Sequence, residues 1–158
     1  MLKIIKKRKE KENMSQKFSD TDMLNEICKI AEMGRYGISQ VIGASNDQSF
    51  SDALRRQDAE YEKIYSTAES YLCESGQKPE SIGAGAKMGS FVSAKFNTMT
   101  DPSTSHIAEM MIVGSASGVA KTVRSTRHGC DIAEKTHKLA EKLLKTEESN
   151  IEQMKDFL

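Results

Sequence analysis

Glu134-Lys135-Thr136-His137 is the one Glu-x-x-His in this chain. Three residues apart on a helix, a carboxylate and an imidazole lie on the same side. Dinuclear carboxylate sites in helical bundles draw such a pair from each of two helices and one further inward Glu from each of two others. Helical phase argues against that use here. Thr136, Ala140, Leu143 and Met154 set the apolar face of the segment, and Glu134 points about 150° away from it, with His137 on the flank. Glu60-Tyr61-Glu62-Lys63 carries Lys where a second His would stand, and Glu26 and Glu32 fall well off the apolar face of their own segment. A surface coincidence is expected.

Two other carboxylates are placed inward by the same geometry. Glu147 falls between Leu143, Ile151 and Met154, and Glu109 lies within the stripe Ile112/Val113/Ala116/Ala120. A carboxylate taken out of water must be paired, hydrogen-bonded or protonated. One reading is a shared metal or proton-handling site, built from Glu109 and Glu147 with Gln57 and His106. The other is a buried polar network with Gln57, Tyr61, Tyr65 or an Arg that fixes helix register.

Glu109 belongs to a longer stretch, Ser105–Lys121, in which the fourteen residues Ile107–Ala120 hold a single charge. Ile107, Met111, Gly114 and Gly118 share one side of a helix there, and Ile112, Val113, Ala116, Ala120 and Val123 share the other. A helix apolar nearly all round is expected to be buried on more than one face. The run is shorter than the ~20 residues a bilayer span needs, so no membrane span is expected. Gly114 and Gly118 form a GxxxG spacing, which lets two backbones approach closely. Ile107, Met111, Gly114 and Gly118 are therefore a close-packing face within the chain or a homodimer seam.

Other chemistries find no support. The three cysteines, Cys28, Cys73 and Cys130, are far apart, and none belongs to a CxxC pair. They read as reduced thiols of a cytoplasmic protein. His106, His128 and His137 stand near helix ends or flanks with no CxxCH, against haem. Ser115 and Ser117 have no neighbouring base in the sequence to make them nucleophiles. No Gly-rich loop follows a strand, which excludes nucleotide folds. Met23, Met88, Met99, Met110, Met111 and Met154 suit core filling or an adaptable binding surface.

The elements that would position these residues are helical. The 158 residues include no Trp and only two Pro, with net charge zero. The first thirteen carry six Lys/Arg against two Glu, so residues 1–18 are expected to be a basic, disordered tail, with Met14 an alternative start. The body, residues 19–158, is mildly acidic and lacks the basic face of a nucleic-acid-binding domain.

Ser19-Asp20-Thr21-Asp22 opens a first helix with apolar face Met23, Ile27, Ile30, Ala31, Gly34, Ile38, Val41 and Ser45. A turn at Asn46–Ser49 leads to a second helix, about Phe50–Cys73, closed by Gly76 and Pro79. Asp101-Pro102 opens the third, which Gly129 ends, and Asp131 caps the fourth. The expected fold is all-α, a four-helix bundle in one domain. Its long connection, residues 76–101, holds a short extra helix (Ala86–Met99) between helices two and three. If that connection runs back along the bundle, helices two and three are parallel, which is the ferritin-like topology; a plain up-down bundle is the alternative.

Three segments carry a resemblance: Gln57–Tyr65, Ser105–Met111 with Gly114-Ser115, and Leu143–Ile151. From about Asp20 to Leu158 the chain resembles a family of small, uncharacterised bacterial ferritin-like four-helix-bundle proteins. The resemblance implies a fold and a cytoplasmic bacterial setting, and no activity. The expected function is therefore a non-catalytic interaction or structural module, self-associating into a homo-oligomer, without cofactor and without nucleic-acid partners. The alternative is a degenerate carboxylate site that binds iron or manganese.

Overall fold

A computed structural model describes residues 17–83 and 103–158. Among these, four helices make up the fold: α1 (Asp20–Val41), α2 (Gln48–Glu74), α3 (Thr104–His128) and α4 (Glu134–Lys155). None is long and apolar enough to cross a membrane.

Local chemistry sets the ends. Ser19 caps α1 in a full capping box: its hydroxyl accepts from the Asp22 N–H at 3.2 Å, and Asp22 accepts from the Ser19 N–H at 2.8 Å. Asp47 caps α2 by accepting from the Phe50 N–H at 3.1 Å. After Glu74 the chain turns through Gly76, whose φ of 71° suits a residue without a side chain. Ser103 caps α3, a role the sequence assigned to Asp101, which lies outside the described residues with the expected helix Ala86–Met99. Asp131 does not cap α4. It sits in the left-handed region at φ 55°, the N-cap is Ala133, and the Ala133 N–H donates to Asp20 of α1 at 2.9 Å. The carboxylate that serves the start of α4 thus comes from across the bundle.

Contacts at the helix ends fix the directions. Ser45, just past α1, bonds Thr104 at the start of α3 at 2.7 Å, and Cys130, past the end of α3, donates to the Phe18 carbonyl before α1 at 2.9 Å. So α1 and α3 are antiparallel. Phe50 and Phe157 stack edge to face at 5.1 Å, and Lys135 pairs with Glu74, so α2 and α4 are antiparallel too. With tight turns joining α1 to α2 and α3 to α4, helices α2 and α3 run the same way. The end of α2 and the start of α3 therefore lie at opposite ends of the bundle, with residues 75–103 as the connection between them. Its first part lies on α1, where Glu80 N–H donates to Asn25 at 3.0 Å and Ile82 N–H donates to Glu32 at 3.1 Å.

The core is continuous, with Ile27, Ile38, Phe50, Leu54, Ile64, Leu72, Ile107 and Leu143 fully buried. Phe18 packs against it, so the fold already includes the last residues expected in the tail. The main surprise is α3. It buries Ile107, Ala108, Met110, Met111, Ser115, Gly118 and Thr122. Ala116 and Ala120 are exposed, and Ile112 and Val123 are half-buried. One face of the apolar run is therefore inward, and the other looks outward.

Candidate functional site

Each of the four helices contributes to one polar cluster at the heart of the bundle. Glu147 of α4 is 2% exposed. Its Oε2 accepts a 2.7 Å hydrogen bond from the Tyr61 hydroxyl of α2, and that hydroxyl accepts in turn from Asn150 Nδ2 at 3.1 Å. Ser115 of α3 adds a side-chain hydrogen bond to the pair. Glu147 and Asn150 stand one turn apart on α4, and so face α2 together.

Two glycines make this possible. A Cβ on Gly118 would stand 2.7 Å from Glu147 Cδ and would also collide with Oε1, so only glycine leaves room for the carboxyl group against α3. A Cβ on Gly34 would stand 2.6 Å from Cε2 and Cζ of Tyr61, so α1 presents bare backbone to the phenol ring. Neither contact is backbone on backbone. At Gly118 the close packing expected from the GxxxG spacing is with a side chain of α4. At Gly114 it is absent, for a Cβ there meets nothing within 4 Å. Ile107 and Met111 belong to the core of the same chain.

The electrostatics follow from burial. Loss of solvent pushes the Glu147 carboxyl up to about 7 from an ordinary 4.5, with Tyr61 and Ser115 pulling the other way through their hydrogen bonds. The same burial, together with the neighbouring carboxylate, drives the Tyr61 phenol far upward, so it remains a donor. Neutral donors orient the carboxyl group but do not neutralise it. Among the described residues every salt bridge engages another carboxylate; Arg35, for example, holds Asp58 at 3.1 Å and also Glu62 on the opposite side of α1.

The residues singled out by sequence are only partly brought together. Glu109 is not inward: its side chain is 71% exposed, and its neighbour is His106, Nδ1 to Oε2 at 3.9 Å. Once Ile107, Met111, Ser115 and Gly118 face the core, Glu109 lies about 180–200° from most of them. His106 stands about 18 Å along α3 from Gly118. Gln57 is 2% exposed but bonds Gln153 at 2.8 Å rather than Glu147, and its Oε1 has no partner. Glu134 and His137 are both exposed, with Glu134 paired to Lys138 at 2.6 Å. Among the described residues no group of three His, Cys, Asp or Glu could hold a metal ion, and Glu109, Glu147, Gln57 and His106 are not brought together.

Beside the cluster a groove opens between α1 and α3. It encloses about 300 Å³ and is lined by Ile30, Met33, Met110 and Met111, with Tyr61, Ser115 and Glu147 among its polar walls and Lys121 also bordering it. Ser115, without a base nearby in sequence, does have a carboxylate beside it in space. Asn150 went unnoticed as a partner, although its i+3 spacing from Glu147 was a usable signal.

With this geometry in view, the chain is similar to the crystal structure of a DUF305 fragment from Deinococcus radiodurans. The TM-score is 0.69 at 14% identity, over 87% of this chain and 93% of that one. The likeness is one of fold. No protein-family model and no curated protein matches the chain.

Proposed function

We propose that the chain is a non-catalytic bundle that acts as an interaction module and self-associates through the outward face of α3. The observation that carries this reading is the composition of that face. Val113, Ala116 and Ala120 are exposed along it, Val113 to 38%, with Ile112 and Val123 half-buried beside them. The alanines let a second helix approach to the short end of the usual 8–10 Å interaxial range.

The charges at the two ends of the face favour a second copy as occupant. Glu109 lies seven residues before Ala116, and Arg124 eight residues after it. A two-fold axis near Ala116 would set Glu109 of each copy against Arg124 of the other, the self-complementary pairing that isologous dimers use. The parallel course of α2 and α3, joined by one long crossover, supports a ferritin-like arrangement for the bundle. A bacterial, cytoplasmic setting belongs to the same reading.

Sedimentation velocity over a concentration series tests it. The wild-type chain should reversibly dimerise, Ala116→Glu should be monomeric with unchanged helicity, and Glu109→Arg or Arg124→Glu should each weaken the dimer by about tenfold or more. The combined charge swap should recover it. A wild-type chain that stays monomeric at high micromolar concentration would overturn the proposal, as would a dimer indifferent to Ala116→Glu.

A further inference from the structure

The interior of the groove between α1 and α3 has a composition that self-association through the outer face of α3 leaves unexplained. Its walls are apolar and adaptable, with Ile30 and Met33 from α1 and Met110 and Met111 from α3. Its size, about 300 Å³, lies at the lower end of small-molecule sites, which pair a mostly apolar lining with a few convergent polar groups. Here those groups are Tyr61, Ser115 and Glu147.

Three features make this a site and not a packing gap. First, Glu147 is a carboxylate 2% exposed whose hydrogen-bonding neighbours, Tyr61 and Ser115, are neutral. A buried carboxylate with donors but no countercharge is an incomplete arrangement, since solvation is lost without a cation to replace it. Second, the space is not occupied by the wall itself: a side chain begun at Gly114 would meet nothing within 4 Å. Third, Glu147 is held in one orientation by the Tyr61–Asn150 hydrogen bonds and by its close fit over Gly118. A preorganised acceptor gives more binding free energy than one that must be ordered on association.

We propose that this groove binds a small organic monocation, with its apolar body among Ile30, Met33, Met110 and Met111 and its ammonium group on the carboxylate of Glu147. Thioethers suit such a guest, because methionine adapts to irregular apolar shapes. Lys121, an exposed cation one turn beyond Gly118 and so at the Glu147 end of the groove, disfavours a guest with a second positive charge beside its ammonium group. The ammonium group supplies the positive charge that Tyr61 and Ser115, as neutral donors, cannot. The proposal does not rest on self-association, although Val113 borders both the groove and the outward face of α3.

The test uses the full chain and n-hexylammonium chloride as probe, with n-hexanol and hexanoate as shape-matched controls, followed by amide chemical shifts at about pH 8 so that Glu147 is ionised. Hexylammonium should cause saturable shifts centred on Gly34, Met111, Gly114 and Gly118, and should bind about tenfold or more tightly than hexanol. Glu147→Gln should abolish that preference, and Gly114→Leu, which fills the cavity without touching Glu147, should abolish binding while the helical fold is kept. Equal binding of hexanol would overturn the proposal. So would shifts elsewhere on the surface, an unchanged affinity in folded Gly114→Leu, or no response to hexylammonium at tens of millimolar. If Glu147→Gln fails to fold, the alcohol control and Gly114→Leu still decide the matter.

Discussion

Glu147→Gln should change how stability depends on pH more than it changes stability itself. In the folded chain the Glu147 carboxyl is raised from 4.5 to about 7 by burial, while in the unfolded chain it titrates near its ordinary value. Between these two values the folded state holds a proton that the unfolded state has released, so stability falls as pH rises. The contribution is fully present below about pH 4.5 and is lost as pH passes through about 7. At 1.36 kcal/mol per unit, the window corresponds to about 3 kcal/mol. Gln keeps the shape and the oxygen that accepts from Tyr61, yet it does not titrate. At about pH 5 the two proteins should therefore be within ~1 kcal/mol of each other, and above about pH 8 the variant should gain about 3 kcal/mol relative to the parent. For a chain of this size that is a relative shift in melting temperature of about 6–12 °C. Groups such as Asp22 and Asp47, whose carboxyls are held low by local hydrogen bonds, are common to both proteins and cancel in the difference. Urea unfolding across this pH range measures it directly. Parallel stability curves for parent and variant would refute the reasoning, because they would mean that Glu147 has the same proton affinity folded and unfolded.

Gly118→Ala should cost about 1–3 kcal/mol by driving Glu147 off α3, and in a Glu147→Ala background the same change should cost little or even stabilise, a non-additivity that a double-mutant cycle by chemical denaturation will read. Gly114→Ala, made where a Cβ meets nothing, should instead raise stability by up to ~1 kcal/mol in a thermal melt. Tyr61→Phe should cost about 1–3 kcal/mol by unfolding, since it strips a donor from Glu147 and an acceptor from Asn150. Cys28, buried and pushed up to about 12, should resist a thiol reagent near neutral pH until the chain unfolds, whereas exposed Cys73 reacts at once.

The helices were legible because three of the four patterns point one way, whereas the sequence left open whether α2 and α3 run parallel. α1, α2 and α4 have clear apolar stripes; on α2, Phe50, Leu54, Gln57, Tyr61, Ile64, Ala68 and Leu72 recur every three or four residues and all are buried. Caps made by neighbours in sequence, such as Ser19 with Asp22 and Asp47 with Phe50, could be read locally. The contact at the start of α4 could not, since the carboxylate that accepts from the Ala133 N–H belongs to Asp20, more than a hundred residues away.

The different fates of Glu109 and Glu147 show why the site was only half legible. α4 has one apolar stripe, so a carboxylate at its centre has to be inward, and Glu147 is. α3 is apolar on both sides, and hydrophobic periodicity then has no phase to give. Its rotation is seen in what it buries: Ile107, Ala108 and Met111 enter the core, and Ser115 and Gly118 give Glu147 a wall with a hydroxyl and no side-chain bulk. With this side inward, Val113, Ala116 and Ala120 face outward and Ile112 is half-buried against the core. The close fit of one buried carboxylate against Gly118 thus bears on which face of α3 is core and which is outward. Glu147→Leu removes that fit, and the rotation of α3 becomes the property to watch: amide shifts that move along both faces of α3, and not only beside residue 147, would show that the carboxylate had been setting it.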